Sequence, residues 1–103
     1  MKNYILSIPL VSFASSSMTA SYQAMDADGL PNACESISLV NDSSQDITVS
    51  FDGSTNHNYI VAASTYTLES PQSLINAIRK GTKIYVKGTA GTGNIYLSGK
   101  YIA

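Results

Sequence analysis

The chain reads as an all-β protein: a small β-sandwich, Ig-like or jelly-roll-like, of about seven short strands with one short helix near residues 71–80. Three observations predict it. Apolar residues alternate with serine and threonine over short runs, which is the period of a strand with one covered and one wet face. Clusters of Asn, Asp, Gly and Pro interrupt the chain about every ten residues, the turn spacing of a β-sandwich. Start and stop signals for a helix occur once. A partly open barrel of the same strands is the alternative.

The composition sets the scale. With 103 residues the chain is a single domain, residues 1–103. Charged residues make up 13% of it, against about 25% in an ordinary globular domain. Ser and Thr occupy 24 positions in their stead, so the exposed strand faces are hydroxylated and nearly neutral. A chain of this size buries about 65% of its unfolded surface, enough for one thin core but not for a deep catalytic cleft beside it. A non-enzymatic function is expected.

At the N-terminus, Lys2, the apolar run Tyr4–Ala14 and the small residues Ser15–Ala20 have the layout of a secretory signal. Pro9, with Ser7 and Ser12 around it, interrupts that run and favours a retained strand. Residues 1–20 are therefore read as an extended first strand or docking arm. Pro9 has no N–H for a ladder, so it belongs on an edge or in a bulge. Ser15–Thr19 is a polar bend, Ser21–Met25 a short strand, and Asp26–Asn32 a loop.

Ile37 and Leu39 alternate with Ser36 and Ser38, Asn41–Asp46 has turn chemistry, and Ile47, Val49 and Phe51 alternate again. This predicts a β-hairpin. Asp52-Gly53 begins a second turn, and Tyr59–Ala62 and Thr65–Leu68 are two more strands. Ser70 as N-cap, Pro71, then Leu74, Ile75 and Ile78, then Arg79-Lys80-Gly81 spell the helix. Lys83–Lys87, the turn Gly88–Gly93 and Asn94–Leu97 predict a last hairpin, with Gly99 bending or bulging the strand before Tyr101.

No group of residues assembles a reaction. His57 shares one short turn with Asp52 and Ser54, too close together to give base, acid and nucleophile separate supports. Gly88–Gly93 has the outer glycines of a phosphate loop but is followed by Asn94-Ile95 instead of Lys-Ser/Thr. Asp26-Ala27-Asp28-Gly29 lacks the remaining ligands of a calcium loop. Asn41-Asp42-Ser43 is a glycosylation sequon, but turn chemistry already accounts for these residues. Cys34, the one cysteine, has no basic neighbour to activate it and reads as a buried thiol. No catalytic residue, metal or cofactor is expected.

All seven acidic residues precede position 70, and five of the six basic ones follow position 78. On one copy an acidic patch would then meet the basic patch of a neighbour. Tyr85, Lys87, Tyr96, Lys100 and Tyr101 lie on the outward side of the C-terminal hairpin and form the expected protein-contact face. Two lysines among those rings are too few for nucleic acid. No stretch is long enough to span a membrane as a helix.

The segments Asn41–Gly53, with Asn56-His57 following, and Lys80–Gly93 resemble small accessory virion proteins of tailed bacteriophages, the likeness running from about Ser21 to Tyr101. The resemblance implies a β-sandwich assembled on the particle as an auxiliary or decoration protein of the capsid. A neck or tail component is its variant. The implied partners are the major capsid protein or other virion proteins and copies of the chain itself, with no nucleic acid and no membrane, and the implied location is the virion. The alternative is a secreted or periplasmic bacterial binding module with residues 1–20 as its signal.

Overall fold

The structure, a computed structural model, describes residues 4–71 and 74–103. Among them are nine strands: β1 (Ile5–Ser7), β2 (Val11–Ala14), β3 (Gln23–Ala24), β4 (Ser36–Ser43), β5 (Ile47–Ser50), β6 (Asn58–Ile60), β7 (Ser64–Glu69), β8 (Tyr85–Gly88) and β9 (Gly93–Ile102). A single 3-10 turn covers Ser15–Ser17. The strands form two antiparallel sheets packed as a small β-sandwich. The five-stranded sheet is ordered β1–β9–β4–β7 with β2 also on β9, and the four-stranded sheet β3–β8–β5–β6.

The alternation seen in the sequence sets the two faces. Ile37 and Leu39 of β4 and Ile95 and Leu97 of β9 point inward against Ile47 and Val49 of β5, Ile60 of β6 and Val86 of β8, and all are buried. Each such side chain contributes roughly 1.5–3 kcal/mol by leaving water. Between them, on the outer faces, lie Ser36, Ser38, Thr48, Thr65 and Thr67.

The N-terminal run is split at Pro9. Ser7 faces Lys100, whereas Val11 faces Leu97. Three residues, Ile8 to Leu10, thus oppose the two residues Ser98 and Gly99. This is a bulge on an edge strand, where a residue without an N–H costs nothing. Ile8 turns inward there and its N–H bonds the Gly99 carbonyl at 3.0 Å. The expected kink at Gly99 itself is not found: β9 keeps one register with β4 from Gly93 to Lys100. Gly99 is instead a point of close approach, since a Cβ there would lie 3.0 Å from Ile8 Cδ1 and 3.3 Å from Cys34 Sγ.

Both expected hairpins are corrected. β4 pairs with β7 and β9, and β5 with β6 and β8, so the Ser44–Asp46 turn crosses from one sheet to the other. The Thr89–Thr92 connection crosses in the same way between β8 and β9. Local alternation gives each strand its faces but not its partner. The crossing at β4 is fixed by the buried Asn41, whose Nδ2 donates to the carbonyls of Gln45 (2.9 Å) and Ile60 (3.0 Å). The two crossings are tied together by Ser44 and Thr92: the Ser44 N–H bonds the Thr92 carbonyl and the Thr92 N–H bonds Ser44 Oγ, both at 3.0 Å.

The helix expected near residues 71–80 is likewise corrected. Positions 72 and 73 lie outside the described residues, residues 74–76 are bends, Ile78 forms an isolated bridge and Lys80 is in a turn. Distant partners take the donors that a helix would use. The N–H of Asn76 bonds Glu35 Oε2 (2.8 Å), that of Ala77 bonds Ser70 Oγ (2.8 Å), and Ile78 exchanges two backbone bonds with Cys34. Asn76 also has φ +52°, which no right-handed helix accommodates.

Candidate functional site

The fold divides the five residues expected to form one contact face. Tyr85 and Lys87 stand on β8 in the four-stranded sheet, whereas Tyr96, Lys100 and Tyr101 stand on β9 in the five-stranded sheet. Tyr101 lies on the inward side of β9 and packs against the core. With β8 and β9 in different sheets, Tyr85 and Lys87 do not adjoin Tyr96 and Lys100 as they would in a hairpin.

On the outer side of the four-stranded sheet, Lys87 pairs with Thr48 and Thr48 with Tyr59. Lys87 Nζ lies 4.6 Å from the centroid of Tyr22, a cation–π contact. The Tyr22 hydroxyl donates to Asn56 Oδ1, and that of Tyr59 to Asp46 Oδ2 at 2.7 Å. The Ala62 N–H bonds the other oxygen of Asp46, so both donors hold this carboxyl below the usual carboxylate range. The same bond to Asp46 raises the Tyr59 phenol. Tyr22, Tyr59 and Asp46 were not singled out in the sequence, because their pairing depends on strand neighbours.

The loop carrying His57 is a folded turn. Asp52 Oδ1 accepts the N–H groups of Thr55 (2.7 Å) and Ser54 (2.8 Å) and the Ser50 hydroxyl (2.8 Å), and these bonds push its carboxyl far below the usual range. His57 Nδ1 accepts the Phe51 N–H at 3.0 Å. Every polar atom named here thus stabilises the turn. Cys34 is fully buried, and burial raises its thiol. Among the described residues no cluster of three His, Cys, Asp or Glu side chains is placed to hold a metal ion.

The separation of charge along the chain does not survive folding. Residues 25–34 run beside residues 78–84, held by Met25 N–H to Ile84 O, Leu30 N–H to Thr82 O and the Cys34–Ile78 bridge. Asp26, Asp28 and Glu35 are thereby interleaved with Arg79, Lys80 and Lys83. An acidic region facing a neighbour's basic region is corrected to a mixed-charge end of the molecule.

At that end the surface is unusually apolar. Tyr4, Ile5 and Leu6 are 68%, 73% and 44% exposed, and Leu10, Leu74 and Ile75 are exposed as well. Beside Ile5 a groove of about 240 Å³ is lined by Glu35, Ser36, Glu69, Lys100 and Ile102. A second groove shares Ser36 and Lys100 with it and is also lined by Leu10, Ser38 and Ser98. Glu69 and Lys100 flank Ser36 on opposite neighbouring strands.

No family model and no curated protein matches the chain. The fold is similar to a solved structure described as "Bacillus endospore appendages form a novel family of disulfide-linked pili". The TM-score is 0.55 at 18% identity, over 99% of this chain and 90% of that one. This likeness supports the two-sheet architecture.

Proposed function

We propose that the chain is a structural subunit that self-associates into an extracellular or particle-borne assembly. The observation that carries this reading is the apolar edge strand β1, exposed along its whole length (Ile5–Ser7) at the side of a closed sandwich. A monomer gains nothing from three consecutive exposed residues headed by Ile5 and Leu6, while an assembly buries them. The shared fold with a pilus protein supports the same class of function. Within that class the likeness of residues 41–53 and 80–93 to accessory phage proteins favours the virion, with the chain as an auxiliary or decoration protein beside the major capsid protein.

A disulfide is not expected to hold the assembly together. One cysteine can join a chain to at most one other, and Cys34 is 0% exposed, so the disulfide linkage of the pilus neighbour has no counterpart here. Light scattering and negative-stain microscopy of the purified chain test self-association: species larger than a monomer are expected to grow with concentration, and a strict monomer would sink the reading. Mass spectrometry of purified virions against secreted and cell-surface fractions tests location. Recovery only from surface appendages would replace the virion by a filament.

A further inference from the structure

Ile102 is the point at which the exposed apolar residues converge. On one side it pairs with Ile5 of β1. On the other the Asn76 carboxamide bonds both its N–H (2.9 Å) and its carbonyl (2.8 Å), which draws the neighbouring Leu74 and Ile75 alongside. Tyr4, next to Ile5, is fixed by two backbone bonds to Ala103, each 2.8 Å. By strand alternation Ile5 shares the outer face with Ile102, whereas Tyr4 and Leu6 point to the opposite face; Ile5 and the adjoining Leu74 and Ile75 are 73%, 53% and 60% exposed.

Charge on the same patch selects the occupant. Glu69, Ser36 and Lys100 form one cross-strand row in which the two charges stand about 10 Å apart, two strand spacings. Glu35 lines the same groove. A surface bearing an apolar centre with both signs of charge beside it contains its own complement. Rotated by a two-fold axis, it sets Lys100 against the acidic side of an identical surface and Glu69 against the basic side, which is the requirement for an isologous contact. A polyanion or an anionic membrane would meet the two glutamates unfavourably.

We infer that the patch around Ile5 and Ile102 is a two-fold interface with a second copy of this chain. The inference rests on the self-association proposed above and names the surface responsible for one of its contacts. Pro9 limits the pairing: its bulge ends strand addition after Ser7, so side-chain packing over Ile5 and Ile75, more than a long ladder, holds the copies together.

Sedimentation velocity of the full chain over a hundredfold concentration range tests the interface, with thermal melts confirming that each variant is folded. The wild type is expected to dimerise, and Ile5→Glu and Ile75→Glu to weaken dimerisation at least tenfold. Lys100→Glu and Glu69→Lys are each expected to weaken it, and the double exchange in one chain to restore it. Val61→Glu, an exposed position just beyond β6, is the control and should leave dimerisation unchanged. If the chain associates and the Ile5, Ile75 and charge variants associate equally well, this surface is wrong while the assembly reading stands. A monomer at every concentration overturns both.

Discussion

Asn76 and Ile102 are joined by two hydrogen bonds in which a side-chain amide imitates a strand, its Oδ1 accepting the Ile102 N–H and its Nδ2 donating to the Ile102 carbonyl. The amide closes the side of β9 left open where β4 begins. Asn tolerates φ +52° better than most residues. Asn76→Ala should therefore cost about 2–4 kcal/mol through two unmade bonds and a less favourable backbone. Asn76→Gly relieves the backbone alone and should recover about 1 kcal/mol of that loss in denaturant titrations.

Two glycines with similar backbones should respond differently to the same change. Gly81 (φ +84°) has nothing within 4 Å of an added Cβ, whereas at Gly93 (φ +88°) that atom would lie 2.2 Å from the Asp42 carbonyl oxygen. Gly81→Ala should cost about 1–2 kcal/mol, the penalty of the left-handed conformation alone. Gly93→Ala should cost several times as much and disrupt the β8–β9 crossing, a difference that thermal unfolding measures directly.

Asn41 is completely buried in the corner between β4 and β5. Replacing it by Leu leaves the Ile60 carbonyl without the Asn41 donor and leaves the Gln45 carbonyl and the Ser43 hydroxyl with only their bond to each other. A loss of about 2–4 kcal/mol is expected, together with faster amide exchange in the Ser44–Asp46 turn.

Acid should destabilise the fold through Asp46 and Asp52. Both carboxyls have folded values below their unfolded ones, so their contribution is fully present above about pH 4 and disappears as pH falls through the folded values. Asp46→Asn and Asp52→Asn should each be less stable at neutral pH and lose less on acidification. Tyr59 behaves conversely. Its raised value preserves its contribution below about pH 10 and removes it as pH rises further.

Cys34 should resist modification in the native protein. It is fully buried with its thiol raised by burial, and the thiolate is the reactive form. Thiol labelling is expected only at the rate of opening or unfolding, and a reducing agent should change neither association state nor melting temperature.

Much of the layering was legible from spacing. Ile37, Leu39, Ile47 and Val49 reveal their inward faces by alternation, and Pro9 announces its edge bulge. Partners were not legible, because a period of two says which way a side chain points and nothing about which strand lies beside it. Hence β4–β5 and β8–β9 read as hairpins although each pair spans the sandwich. The helix failed for a related reason: Leu74, Ile75 and Ile78 have helical spacing, but Glu35 and Cys34 bond the backbone of Asn76 and Ile78 from far along the chain and the Ser70 hydroxyl takes the Ala77 N–H. The proposed contact surface was hidden too, since Ile5 and Ile75 are brought to opposite sides of Ile102 only by folding.

β9 holds the five-stranded sheet together, pairing with β1, β2 and β4. Because it runs from Gly93 to Ile102, β1 and β2 wait unpaired until a strand far downstream of them has left the ribosome. Folding is thus late and governed by distant pairings, which are slow to form. During that interval Ile8, Val11 and Phe13, which the folded core covers, are exposed on every growing chain. On polysomes their premature encounter with neighbouring chains is a hazard, and the rate of synthesis through β9 sets how long it lasts.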